Sequence, residues 1–177
     1  MTHIDDRVIE LARTALSFEY GEEHFYRHAA GMTQNPNGKA MFLRLAEERP
    51  ERMEDMHRLF SAIIGQDAWQ QLVAEEAANA HPSRVIAEME AAVAQRGMEK
   101  VADDAQALRM AMELERRIIH LLKDMSEHIK GPDIIKLAEK MIMEENSQYD
   151  ALQAQLDSVL NVGIWLDTPE FRMDGRF

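Results

Sequence analysis

Apolar residues recur at alternating spacings of three and four along four long stretches of the chain, and that spacing keeps them on one stripe of a helix. In the first stretch they are Ile4, Val8, Leu11, Ala15, Phe18, Tyr26 and Ala29, which predicts a helix over about 3–32. The second predicts a helix over about 39–64, with Phe42, Leu45, Ala46, Met53, Met56, Phe60 and Ile63 inward and Gly65 closing it. The third, over about 101–129, turns Leu108, Ala111, Glu115, Ile118, Leu122, Met125 and Ile129 to one side. The fourth, over about 134–160, does the same with Ala138, Met141, Ile142, Glu145, Gln148, Leu152, Leu156 and Val159.

Stripes of this length must cover one another, so the expected fold is all-α. The run Thr33-Gln34-Asn35-Pro36-Asn37-Gly38 reverses the chain after the first helix, and Gly131-Pro132-Asp133 acts as stop, rigid turn and N-cap before the fourth. The stretch 66–97, broken at His81-Pro82-Ser83 and with a short helix over Val85 to Gln95, is long enough for a crossover. Two helical hairpins joined in this way predict an antiparallel four-helix bundle over 1–162, with a long crossover between helices 2 and 3. Residues 163–177, with Trp165, Phe171, Met173 and Phe177, read as an irregular tail that packs on the bundle or on a partner subunit.

Composition excludes several function classes. Among 177 residues, 32 Asp and Glu oppose 20 Lys and Arg, and a net charge of −12 works against contact with a phosphate backbone, so nucleic acid is not an expected partner. Without cysteine there is no disulfide, thiolate metal site or Cys nucleophile. No apolar run reaches 18 residues and the start carries no basic-then-apolar leader, so the expectation is a cytoplasmic protein with no membrane partner. The 13 methionines at helical spacing read as core filler.

Carboxylates inside the stripes are what a merely structural bundle does not need. At about 100° per residue, Glu19 and Glu22 fall within about 30° of the apolar centre of the first helix, Glu115 within about 20° of the third, and Glu145 almost on the fourth, with Gln148 one turn further along the same face. An ionised carboxylate in a dry core protonates, pairs with a cation or binds a metal. Folding each hairpin about its turn sets Glu19 beside residues 48–52 and Glu115 beside 145–148, so the polar core residues share one depth. The hairpins also read as a diverged repeat: Ala15 and Glu19 match Ala111 and Glu115 at an offset of 96, with Phe18 on Leu114 and Tyr26 on Leu122. Glu48 lies 29 residues beyond Glu19, and Glu145 lies 30 beyond Glu115. Near two-fold symmetry of this kind is what a pair of metals bridged by carboxylates would require.

The stretches Ala15–Ala30, Leu45-Ala46-Glu47-Glu48, Ala107–Arg117 and Met143–Gln148 resemble the helices of the rubrerythrin branch of the ferritin-like di-iron carboxylate proteins, over residues 3–160. The resemblance implies a ferritin-like bundle and a non-haem di-iron centre that reduces peroxide, reacts with oxygen or handles iron. Its implied ligands are Glu19, Glu22, Glu115 and Glu145, and its cofactor is iron, two per chain, or a mixed Fe, Zn or Mn pair. Without a Cys-rich rubredoxin module, electrons would come from an external donor such as a rubredoxin.

The chain departs from the family pattern at informative places. Gln148 stands where the second histidine belongs, and the spacing after Leu45-Ala46 sets Arg49 and Arg52 at ligand positions. Pro50 can re-phase the helix and turn Glu48 and Glu51 inward instead. Glu54-x-x-His57 has ligand letters with its phase away from the core, and His24 and His120 fall off the stripe and read as solvated. Two expectations follow. One is a metal site built from Glu19, Glu22, Glu48, Glu51, Glu115, Glu145 and Gln148. The other is a metal-free structural or interaction protein whose core carboxylates are neutralised by Arg49 and Arg52. In either case the apolar tail favours a homo-oligomer, a dimer in the first instance.

Overall fold

The computed structural model describes residues 6–79, 81–96, 103–162 and 164–166, with side chains for all of these except 49–52, 82, 83, 103 and 162. Seven helices account for nearly all of the described chain: α1 (Asp6–Met32), α2 (Pro36–Glu47), α3 (Arg49–Ile64), α4 (Gln66–Asn79), α5 (Pro82–Gln95), α6 (Asp103–Ser126) and α7 (Pro132–Val162). No described helix is long and apolar enough to cross a membrane.

The expected second helix is two helices. Pro50 lacks the N–H that would bond the carbonyl of residue 46, so the helix stops at Glu47 and restarts at Arg49 with the proline in its first turn. Glu48 between them sits at φ −77°, ψ −1°, its N–H still donating to the Arg44 carbonyl at 3.0 Å. The first turn is also shorter than expected. Asn35 caps α2 by accepting the Asn37 N–H at 2.9 Å, and Pro36, Asn37 and Gly38 are already helical. Gly65, at φ 90°, ends α3 as the sequence predicts, and Gly131 adopts φ 105° before Pro132 opens α7. Asp133 therefore lies in the first turn of α7 and is not its N-cap. The stretch after Gly65 holds two helices where one short helix was expected; α4 buries only Trp69 and Leu72, too few apolar residues to leave a clear stripe.

Packing closes a ring in which α1 touches α6, α6 touches α7, α7 touches α3 and α3 touches α1. α2 lies against α1, and both α4 and α5 also pack on α1. The core holds the apolar residues that the phases select, including Leu11, Phe18, Phe42, Leu45, Phe60, Leu108, Leu122 and Leu152. Gly21 marks the closest approach of α1 and α5, where a Cβ would lie 2.2 Å from Val85 Cγ2.

Beyond α7, Trp165 is buried. Its ring meets Phe42 edge-on at 6.1 Å, lies over Gly38, and donates through Nε1 to Asp104 Oδ2 at 2.8 Å. The tail residues Phe171, Met173 and Phe177 lie outside the described residues, as does Ile4.

Candidate functional site

The phase of α1 carries Glu19, Glu22 and Tyr26 inward together, at spacings of three and four, and all three are buried. α6 contributes Glu115, which is fully enclosed, and α7 contributes Glu145 and Gln148, one turn apart and both buried. Every acidic core residue read from helical phase on α1, α6 and α7 is therefore inside.

These groups form two neighbouring clusters. In the first, the Tyr26 hydroxyl and the Gln148 amide both donate to Glu115 Oε1, the amide at 2.7 Å, and Gln148 Nε2 also donates to the Tyr26 oxygen at 3.1 Å. Tyr26 is fixed in turn by Phe25, edge-on at 5.2 Å, and Phe42, stacked at 6.3 Å. The partner expected for Glu115 from folding the second hairpin, residues 145–148, is thus the partner observed. In the second cluster, Glu19, Glu22 and Glu145 line one cavity of about 30 Å³ whose walls are mostly apolar. A cavity of that size has room for about one or two waters. Asp55 and Glu144 reach the same cavity. Lys140 donates to Asp55 at 2.6 Å and sits 3.6 Å from Glu144, and the bond to Asp55 raises the lysine pKa above its ordinary value. None of Glu19, Glu22, Glu115 and Glu145 is without a polar partner.

His57 comes to this cluster although its predicted phase pointed away. Its Nε2 lies 3.7 Å from Glu19 Oε1 and its ring meets Trp69 edge-on at 5.2 Å. Burial lowers the imidazole pKa below its ordinary value, so the ring is neutral at pH 7. The 3.7 Å approach is too long for a hydrogen bond. The His57 side chain is 39% exposed, so its expected phase, largely away from the core, holds in part. Glu19 shares its cavity with Met53 and Met56 and approaches His57, while the side chains of 49–52, the expected neighbours of Glu19, lie outside the described residues.

Glu48 does not join the core. It is exposed and lies 3.6 Å from Arg44 on the outer face, because the chain is still finishing α2 at that point. The side chains of Arg49, Glu51 and Arg52 lie outside the described residues. His24 and His120 are exposed, as expected.

A third polar cluster was not read from the sequence. Glu113 is buried, yet it receives Arg116 at 2.7 and 3.1 Å, Arg117 at 3.0 Å and Arg96 at 2.8 Å. Burial pushes its pKa up, but the bonds from Arg116 and Arg117 and the charges of Arg116 and Arg96 outweigh that and hold it below the ordinary glutamate value. The Glu-x-x-Arg-Arg spacing was the available signal, since it sets both arginines one turn from the carboxylate.

The described donors do not fit the two-metal centre that the family resemblance implies. Oε1 of Glu115 is already taken by two protein donors, and Gln148 turns its amide nitrogen, which is no metal ligand, toward that oxygen. Glu48 faces away. Among the described residues, no three His, Asp or Glu side chains are grouped so as to hold a metal ion. No family model, curated protein or solved structure matches the chain.

Proposed function

We propose that the chain is a ferritin-like four-helix bundle of rubrerythrin type in which protein groups, and not metal ions, satisfy the acidic core, and that it serves as a structural or interaction module. On this reading the ring of α1, α3, α6 and α7 is the bundle, α2 and α3 are one family helix interrupted at Pro50, and α4 with α5 forms the crossover. The observation that carries the reading is the closed Tyr26–Glu115–Gln148 cluster. A carboxylate oxygen that accepts two protein hydrogen bonds has both lone pairs engaged, and an amide replaces the imidazole that would have bound metal.

Arg49 and Arg52, at the family's ligand positions, are the cations this reading assigns to the remaining core charge. Replacing both, as Arg49→Met with Arg52→Leu, is expected to destabilise the fold by about 3–5 kcal/mol, because carboxylates would then stay buried without a counter-charge. Unchanged stability together with a gain in iron uptake would contradict it. One observation favours the rival reading of a di-iron or mixed-metal redox protein acting on peroxide or oxygen: Glu19, Glu22 and Glu145 border a single cavity. That reading expects the wild-type protein to take up iron in stoichiometric amounts.

A further inference from the structure

Residues of α5, α6 and α7, with Arg96 after α5, line a second cavity of about 180 Å³, much larger than the one beside Glu19. Its lining is basic. Arg96, at the C-cap of α5, and Arg109 and Arg116, on α6, line it together with a single carboxylate, Glu113, which leaves two positive charges in excess inside a chain of net charge −12. Glu113 holds Arg96 and Arg116 in place. Arg109 lies one helical turn before Glu113 and does not pair with it: its Nη1 is shielded from water and makes no hydrogen bond. A guanidinium N–H that is dry and without an acceptor costs free energy that an incoming anion would recover. Tyr149 and Gln153, on α7, add a hydroxyl and an amide to the wall, and Val93, Met112 and Leu156 supply an apolar side.

We propose that this cavity is a binding site for a small organic oxyanion, whose phosphate or carboxylate group is gripped by Arg109 with Arg96 and Arg116 beside it. The planar fork of arginine matches both groups in geometry and charge. The volume lies below the range typical of drug-sized ligands, which selects a small anion with a short carbon chain seated against Val93, Met112 and Leu156. The proposal is independent of whether the acidic core binds metal.

Isothermal titration of the full chain with inorganic phosphate and, separately, with succinate tests it. At least one should bind with a Kd of about 1 mM or tighter. Arg109→Gln should weaken that binding by about 10- to 100-fold, as loss of a charge-assisted pair does. Arg13→Gln, which alters a surface pair with Glu75 and Glu76 elsewhere, should leave it unchanged. Phosphate binding alone identifies a phosphoryl ligand, succinate binding alone a carboxylate ligand, and both together a general oxyanion site. Should Arg109→Gln fail to fold, Gln153→Ala and Tyr149→Phe provide the same test with smaller expected losses. No binding of either anion at about 1 mM, or equal binding by a folded Arg109→Gln protein, would overturn the assignment.

Discussion

Removing the two donors that Glu115 receives, singly and together, probes the acidic core at its best-defined point. Tyr26→Phe deletes one hydroxyl and keeps the ring between Phe25 and Phe42. Gln148→Leu keeps most of the volume and deletes the amide that bonds both Glu115 and Tyr26. A hydrogen bond to a buried charged group contributes about 1.5–3 kcal/mol, so each single change should cost about that much. Because the two donors share one oxygen and also touch each other, the double change should cost less than the two single costs combined, with a coupling of about 0.5–3 kcal/mol. Urea unfolding measures this directly: a loss of about 2 kcal/mol moves the midpoint by about 1 M when the slope is unchanged. Single losses under about 0.5 kcal/mol, or strict additivity within about 0.3–0.5 kcal/mol, would refute the idea that these three groups act as a unit.

Gly38→Ala should cost about 1–3 kcal/mol despite the better helix propensity of alanine, since the new Cβ would lie 2.5 Å from Trp165 ring atoms and 2.7 Å from Thr33 Cγ2. In a Trp69→Phe background, which leaves one of the two tryptophans, the emission of Trp165 should shift to the red; unchanged emission would contradict the close contact. Stability should also fall with acid in two separate windows. His57 has a lowered pKa in the fold, so its contribution is complete above the ordinary histidine value of 6.5 and is lost as pH falls through the folded value; His57→Gln should flatten that limb. Glu113 is likewise held low, so its contribution is present above 4.5 and is lost at more acid pH; Glu113→Gln should remove that second limb, and thermal melts across the pH range check both.

Helical phase carried most of the core, because a rotation of about 100° per residue is preserved over any unbroken helix. Glu19, Glu22, Glu115, Glu145 and Gln148 were legible as polar residues on apolar stripes, and all are buried. The pairing of Glu115 with Gln148 was legible too, since the turn at Gly131 fixes which levels of α6 and α7 meet. The helix breaks at Glu48, yet Phe60 is buried and Met53 and Met56 line the cavity as the phase expects; what it did not place are Glu48, which is at the surface, and His57, which approaches Glu19. α4 escaped notice because two buried residues make no stripe. The seat of Trp165 against Gly38 and Asp104 joins residues 61 or more positions apart, and no local pattern announces such a contact. The Glu113 cluster was present in the sequence as a spacing, but with Arg96 arriving from another helix its excess of positive charge shows only in three dimensions.

Metal content decides the central claim most directly. After expression in iron-supplemented medium, anaerobic reconstitution with ferrous iron and desalting, elemental analysis by plasma mass spectrometry should find far less than one transition metal per folded chain. A content near two per chain, as carboxylate-bridged two-metal centres hold, would mean that the core charges are met by ions and that the proposed metal-free module is wrong.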